Sequence, residues 1–178
     1  MIKAVPIPLE NGLTGWLHAG PTKDLPPGYM LIRCAEEIPV AEEYIAYDLG
    51  VRDFATFEEE NLDAALPGII EDLEVGRPLY VGCMGGTGRT GTLLALLVAQ
   101  HPAFTGGRAI DYIRQVYKPG AIETKDQEKQ VKTYVRIDSR YGAGLNKSPY
   151  PEITEGNATR PHTEQGWVRR LFSRIWAE

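Results

Sequence analysis

A cysteine, an arginine and a run of glycines stand close together in the middle of the chain. Cys83 comes six positions before Arg89, and the hydroxyl residue Thr90 follows directly. A short glycine-rich loop leading into a helix can turn successive backbone N–H groups toward one anion. The arginine adds a planar pair of donors for phosphate oxygens, and the helix terminus favours a thiolate over a thiol. The spacing therefore predicts a phosphate site with a reactive sulfur. The loop residues are Met84, Gly85, Gly86, Thr87 and Gly88.

The same stretch also matches a dinucleotide-binding pattern. Residues 86–91 read G-x-G-x-x-G, which in that role is followed by a second strand ending in Asp or Glu about 20 residues later. Here the apolar run 92–99 leads instead into His101-Pro102 and a Gly-Gly pair. A nucleoside triphosphate loop would need a lysine where Arg89 stands. The context therefore favours cysteine chemistry over nucleotide binding.

The order Cys83, five residues, Arg89 and Thr90 resembles the signature of the cysteine-dependent protein tyrosine and dual-specificity phosphatase superfamily. The resemblance implies a phosphomonoester hydrolase that needs neither a metal nor a cofactor. It assigns Cys83 as nucleophile, residues 84–89 as the phosphate loop, and Thr90 as a donor to the Cys83 sulfur. The chain departs from the family at Gly82, where a histidine usually precedes the cysteine.

A general acid must protonate the leaving oxygen when a thiolate attacks a phosphomonoester. In the family this acid is an aspartate on a loop upstream of the cysteine. Two residues qualify, because Asp53 lies 30 positions and Asp48 35 positions before Cys83. We favour Asp53, since Phe54 follows it as in the family's acid loop and a helix is predicted directly afterwards. Asp48 ends a predicted strand and is the alternative. Phe54 is expected to flank an aromatic leaving group.

Residues 118–127 resemble the family's Arg-Pro-Gly-Ala-Ile-x-Thr-x-x-Gln segment, and residues 15–20 resemble its entry strand. Gln127 then corresponds to the glutamine that positions the hydrolytic water. A structural role at a helix start, with Thr124 as N-cap, is compatible with this one. The resemblance covers about residues 14–137. It implies that Cys83 forms a phosphocysteine, which water then hydrolyses with Asp53 as base.

The second cysteine, Cys34, stands at the end of a predicted strand in Arg33-Cys34-Ala35-Glu36. This segment resembles a stretch of the phosphoinositide phosphatase branch whose cysteine forms a reversible disulfide with the nucleophile. Because a nearby thiol can trap an oxidised cysteine before irreversible damage, Cys34 is a candidate redox partner of Cys83. The alternative is an inert, buried strand cysteine.

The loop residues 84–88 are uncharged, whereas the phosphoinositide branch carries lysines there to meet additional phosphates. We therefore expect phosphotyrosine, and also phosphoserine or phosphothreonine, in proteins or small phosphomonoesters as substrates. Inositol phosphates and phosphoinositides are the alternative substrate class. A phosphate-binding pseudophosphatase is an alternative of another kind, and Gly82 keeps it open.

Strands interleaved with helices must position these residues. Short apolar runs predict strands at 30–34, 44–49 and 79–81, and helical spacing predicts helices at 57–73, 92–99, 109–116 and 125–134. The glycine stretch 82–91 is expected to connect the last strand to the buried helix. This alternation predicts an α/β fold with a central, mainly parallel sheet and helices on both faces.

The chain divides into three predicted parts. Residues 1–141 form the phosphatase domain, 142–162 form a polar linker, and 163–178 form an amphipathic helix with two tryptophans and three arginines. Such a basic amphipathic helix is suited to a membrane surface or a partner protein. Packing against its own domain is the alternative.

Composition narrows the class of protein. The chain has 178 residues with 43% apolar and 24% charged residues and a formal net charge of −5. An acidic chain without a basic run is poorly suited to nucleic acid, so no such partner is expected. Two cysteines exclude a disulfide scaffold and a four-cysteine zinc site. We expect a cytoplasmic protein, because neither a secretory signal nor an apolar span is recognisable.

Overall fold

The computed structural model describes residues 2–134. The predicted domain end at 141, the linker 142–162 and the helix 163–178 lie outside them. Five strands form one sheet in the order β1-β2-β5-β3-β4. The strands are β1 (Lys3–Pro8), β2 (Thr14–Pro21), β3 (Met30–Ala35), β4 (Ile45–Val51) and β5 (Leu79–Cys83).

The sheet is mainly parallel, as the sequence predicts. Strands β2, β5, β3 and β4 are mutually parallel neighbours, and only β1 runs antiparallel, on the outer side of β2. All five residues of β5 are buried, so both faces of the sheet are covered at its centre. This burial explains why the 79–83 segment reads as an apolar run without alternation.

Four α-helices cover the sheet, and two short 3-10 helices lie at 22–24 and 42–44. The first α-helix in the chain packs on β2 and β4. The second packs on β5, β1 and β3, and the third and fourth helices pack against the second. No helix within residues 2–134 is long and apolar enough to cross a membrane. The α-helices are α1 (Glu59–Glu74), α2 (Gly88–Ala99), α3 (Gly106–Val116) and α4 (Lys125–Thr133).

The start of α2 differs from the prediction. The glycine stretch was expected to stay outside the helix as far as Gly91, but α2 begins at Gly88. The first helical turn therefore includes Arg89 and Thr90. Eleven of the residues of α2 are buried, so packing against the sheet compensates for the low helix propensity of its two glycines. The connection between β5 and α2 shortens to residues 84–87.

Candidate active site

All four parallel strands end at the same edge of the sheet, where ligands bind in open α/β folds. The residue at the end of β5 is Cys83, and polar residues follow within two positions of the ends of the other three. Because these chain ends converge, residues far apart in sequence meet around one loop. The residues in question are Thr22 after β2, Glu37 after β3, Asp53 after β4 and Cys83 in β5.

The loop between β5 and α2 depends on one glycine. Gly86 has φ +59°, in the left-handed region that favours glycine. A Cβ atom at this position would lie 2.3 Å from the carbonyl carbon of Gly20. Any side chain at position 86 would therefore collide with the backbone at the end of β2. Close packing against this neighbouring backbone holds the loop in its curled conformation.

Two side chains from outside the loop between β5 and α2 donate hydrogen bonds to its carbonyl groups. The Lys118 ammonium donates to the carbonyl oxygens of Gly85 (3.2 Å) and Gly86 (2.7 Å), and the buried Tyr117 hydroxyl also donates to that of Gly86. In a planar trans peptide the N–H points opposite to the carbonyl. Holding these carbonyls on the outside therefore directs the next N–H groups, those of Gly86 and Thr87, the other way. Neither Tyr117 nor Lys118 is predicted as a site residue from the sequence.

Arg89 is 1% exposed, and a carboxylate fixes its guanidinium. Glu37 accepts two hydrogen bonds from it, at 2.8 Å and 2.6 Å, and the Val51 carbonyl accepts a third at 2.7 Å. The hydrogen bond from Arg89 lowers the pKa of the Glu37 carboxyl. Within the described part of the chain, the buried Nε of Arg89 has no hydrogen-bond partner. Because an unpaired buried donor is costly, an anion that accepts from it would be stabilised.

Asp53 lies next to the same guanidinium. Its Oδ1 is 3.0 Å from Nη2 of Arg89 and also accepts from the Phe54 backbone N–H at 3.1 Å. Phe54 itself has φ +61° and is 57% exposed, so the turn after β4 holds a non-glycine residue in a strained conformation. The structure thus brings Asp53 into contact with the arginine of the Cys-x5-Arg pattern.

Asp48, the alternative acid, is engaged elsewhere. It lies within β4 and forms an ion pair with Arg33 on the neighbouring strand, with one bond at 2.9 Å. It also accepts from the Gly50 N–H at 3.0 Å. The hydrogen bond from Arg33 lowers the pKa of the Asp48 carboxyl. A carboxyl that is stabilised as the anion is poorly suited to donate a proton at neutral pH.

Gln127 is fully buried and connects α4 to the turn after β4, which carries Asp53. Its amide donates to the Ala55 carbonyl at 3.1 Å, and its oxygen accepts from the Glu123 N–H at 2.9 Å. Thr124 caps α4 in a capping box with Gln127, as the structural interpretation predicts. The Gln127 oxygen would also lie 3.3 Å from a Cβ atom at Gly88. Gln127 therefore lies between the turn after β4 and the start of α2, next to the loop after Cys83.

Thr90 and Cys34 are the two remaining candidate residues from the sequence. The Thr90 hydroxyl is buried and finds no hydrogen-bond partner among the described residues, so the expected bond to the Cys83 sulfur is not formed in this structure. Cys34 is free and fully buried in β3, adjacent to β5. Burial, followed by the charge of Cys83, raises the pKa of the Cys34 thiol. Across residues 2–134, no group of three metal-ligating side chains occurs.

Comparison with known proteins decides the family. The profile of the "PTP-SAK: Swiss Army Knife protein, DSP-PTPase phosphatase domain" matches residues 34–131, which include Cys34, Asp53, the phosphate loop and Gln127. The chain belongs to this phosphatase family. An uncharacterized protein of Methanocaldococcus jannaschii is 33% identical over 86 residues, which are 48% of this chain and 56% of that protein. The dual specificity protein phosphatase CDC14A of Mus musculus is 36% identical over 118 residues, 64% of this chain and 18% of that protein.

Solved structures agree on the fold of this phosphatase domain. Tk-PTP in its active form superposes with a TM-score of 0.54 at 22% identity, covering 67% of this chain and 92% of that one. The kinase associated phosphatase with its catalytic cysteine replaced by serine gives 0.55 at 18% identity, covering 73% and 92%. Among the relatives by sequence, this phosphatase chain spans about half the length of the Methanocaldococcus jannaschii protein and less of CDC14A.

Proposed function

We propose that the chain hydrolyses phosphomonoesters of proteins, phosphotyrosine foremost and phosphoserine or phosphothreonine as well, through a phosphocysteine at Cys83. The observation that carries the proposal is the arrangement around Arg89. Among residues 2–134 this buried guanidinium has one donor, Nε, without a partner. It lies 3.0 Å from the Asp53 carboxylate and follows Cys83 across a loop whose carbonyls are held outward. An anion receptor, a sulfur nucleophile and an acid thus meet at one edge of the sheet.

In the first step, the Cys83 thiolate attacks phosphorus. The S–P bond forms as the P–O bond to the leaving group breaks, and protonated Asp53 transfers its proton to the departing oxygen. Donors of Arg89 and the loop amides stabilise the charge on the three equatorial oxygens. In the second step, Asp53 removes a proton from water as the water oxygen attacks phosphorus. The S–P bond breaks, which releases inorganic phosphate and restores the Cys83 thiolate.

The contact between Asp53 and Arg89 gives substrate binding a role in preparing the acid. A phosphate that accepts from Nε and Nη2 of Arg89 competes with the Asp53 carboxylate for the same guanidinium. Displaced from Arg89, the exposed Asp53 carboxyl is free to approach the leaving oxygen of the substrate. Glu37 remains bound to the other side of the guanidinium and keeps its plane fixed. Substrate binding thereby releases Asp53 for its role in the first step.

The residues around the loop favour a substrate with a single phosphate. The side chains of residues 84–88 carry no charge. An oxygen of the Glu123 carboxylate would lie 2.3 Å from a Cβ atom at Gly88, so this anion stands directly against the start of α2. A second phosphate near this position would be repelled. Exposed Phe54 and Met84 offer apolar surface to the aromatic ring of a phosphotyrosine. These features support phosphoproteins over inositol polyphosphates.

Reversing the charge of Glu123 should relax this preference. In Glu123→Lys we expect the ratio of kcat/KM for an inositol bisphosphate to kcat/KM for an aryl monophosphate to rise by on the order of 10-fold, because repulsion becomes attraction. Glu43→Lys is the matched control, since exposed Glu43 precedes β4 at the opposite edge of the sheet. An equal change of the ratio in both variants would contradict a local role for Glu123.

We also propose that Cys34 protects the nucleophile. Peroxide oxidises the Cys83 thiolate to a sulfenic acid, and the Cys34 thiol attacks this sulfur, which forms the disulfide and releases water. The paired positions Arg33 and Gly82 directly precede the two cysteines on adjacent strands. This pairing supports the proposal, whereas the raised pKa of the buried Cys34 thiol slows the attack.

Peroxide treatment followed by mass spectrometry under non-reducing conditions tests the protective role. We expect a cross-linked pair of peptides containing Cys34 and Cys83, and recovery of activity after reduction. In Cys34→Ala, the same treatment should drive Cys83 to the sulfinic acid and lose activity irreversibly. Equal recovery in both proteins, without a cross-linked peptide, would identify Cys34 as an inert core residue.

The phosphatase proposal is tested by aryl phosphate turnover in the wild-type chain and in Cys83→Ser. Turnover only in the wild type supports the proposal. Retained binding of inorganic phosphate without turnover in either protein would instead identify a phosphate-binding pseudophosphatase.

A further inference from the structure

Thr22, which lies outside the Cys-x5-Arg signature, contacts the backbone of the proposed nucleophile Cys83. Thr22 follows β2, opens the short 3-10 helix 22–24 and is 6% exposed. Its hydroxyl donates to the Cys83 carbonyl oxygen at 3.3 Å. The parallel pairing of β2 with β5 places Pro21 opposite Cys83, so sheet register sets this contact. Within the described residues, it is the one side-chain hydrogen bond to the nucleophile's own peptide group.

The glycine at position 82 is a consequence of the same packing. A Cβ atom at Gly82 would lie 2.8 Å from the Thr22 hydroxyl oxygen and 3.0 Å from the Thr22 Cα. Contacts this short require the backbone of one segment to shift. The space next to the cysteine, which a histidine side chain would need, is therefore occupied by Thr22. The glycine that replaces the family's histidine and the neighbouring Thr22 therefore fit each other sterically.

The segment that carries Thr22 is itself fixed against the loop. The buried Tyr80 hydroxyl donates to the Pro21 carbonyl at 2.8 Å. The Gly20 carbonyl carbon would lie only 2.3 Å from a Cβ atom at Gly86. Residues 20–22 thus contact both the end of β5 and the middle of the loop that follows it. A donor on such a segment can hold a peptide group in one orientation.

We propose that Thr22 is a positioning residue that orients the peptide between Cys83 and Met84 for catalysis. Its bond holds the Cys83 carbonyl on the back of the loop. Because the peptide is planar and trans, the Met84 N–H then points the opposite way, as Lys118 directs the N–H groups of Gly86 and Thr87. Without the bond, the carbonyl is free to rotate inward, where its negative end would oppose a thiolate or a phosphate. The role in catalysis rests on the proposed function.

Removing the hydroxyl while keeping the shape tests this role. Thr22→Val is nearly isosteric, Thr22→Ala leaves space, and Thr22→Ser keeps the donor. The measurement is the rate at which iodoacetamide alkylates Cys83, followed by mass spectrometry as a function of pH. In Val and Ala variants we expect the midpoint of this profile to rise by about one pH unit, which corresponds to one lost hydrogen bond near the thiolate. Thr22→Ser should retain the wild-type midpoint.

Inorganic phosphate provides a second readout, because it should protect Cys83 from alkylation when the loop N–H groups converge on it. We expect the protecting concentration to rise about 5-fold or more in Thr22→Val and Thr22→Ala and to stay unchanged in Thr22→Ser. Equal behaviour of Val and Ser variants, or a midpoint that moves in neither, would overturn the proposal. Alkylation needs no turnover, so the result stands even if the wild-type chain hydrolyses no phosphomonoester and the proposed function fails.

Discussion

Replacing Cys83 with serine should lower kcat for an aryl phosphate by at least about 10,000-fold, because the loss of a covalent nucleophile removes the whole two-step route. An alcohol is a far weaker nucleophile than a thiolate near neutral pH. The phosphate loop and Arg89 stay intact in this variant, so inorganic phosphate should still bind with nearly wild-type affinity. The measurement is steady-state hydrolysis together with calorimetric titration of phosphate.

Cys34→Ala is the matched control for this variant, since it removes the other of the two thiols and leaves the loop unchanged. Under reducing conditions we expect its kcat to remain within about 3-fold of wild type, because most of the cost of a core truncation falls on stability. Residual hydrolysis in Cys83→Ser comparable to wild type would show that the sulfur is not the nucleophile.

Asp53→Asn should lower kcat/KM, which reports the first step, by about 100-fold to 10,000-fold for substrates with poor leaving groups, because these depend most on protonation. For a nitrophenyl phosphate the loss of kcat/KM should be much smaller, because that phenoxide departs without a proton. Removing the carboxylate also frees the Arg89 guanidinium. We therefore expect inorganic phosphate to bind more tightly to Asp53→Asn than to wild type. A Brønsted series of aryl phosphates measures the first effect.

The Asp48→Asn variant tests whether Asp48 is the general acid or only stabilises the sheet. Its ion pair with Arg33 joins β3 to β4, so this variant should lose some stability and keep the wild-type dependence on the leaving group. A steeper leaving-group dependence in Asp48→Asn than in Asp53→Asn would reverse the assignment of the acid.

Local spacing was sufficient to predict that Cys83 ends a strand and that a glycine loop connects it to a helix carrying Arg89, because these residues lie on one continuous strand, turn and helix. The same holds for Thr124 as the cap of α4. The sequence favours Asp53 as the acid and leaves Asp48 as the alternative. The choice depends on where β4 ends and which carboxylate reaches Arg89, and that is set by sheet order.

The supporting residues could not be predicted in this way. Glu37, Tyr117, Lys118 and Thr22 act across the tertiary fold on groups that are distant in the chain. One signal was available for two of them, since Thr22 and Glu37 are polar residues within two positions of the end of a strand. The start of α2 was also misplaced, because tertiary burial outweighs the helix-breaking tendency of Gly88 and Gly91.

The net charge of −5 shows why overall composition does not reveal an anion site. Backbone N–H groups contribute nothing to formal charge, and the single guanidinium of Arg89 is already paired with Glu37 and Asp53. The phosphate recognition that we propose depends on orientation over a few ångströms, where local dipoles outweigh the screened field of distant carboxylates.

The central claim is that Cys83 carries the phosphoryl group during turnover. Asp53→Asn with a nitrophenyl phosphate is the suitable case, because the first step needs little acid while the second lacks its base, so the intermediate should accumulate. After rapid acid quenching, mass spectrometry should find one phosphoryl group on the peptide containing Cys83, in an amount equal to the burst of nitrophenol. A burst or continued turnover with no phosphoryl group on Cys83 would contradict the claim.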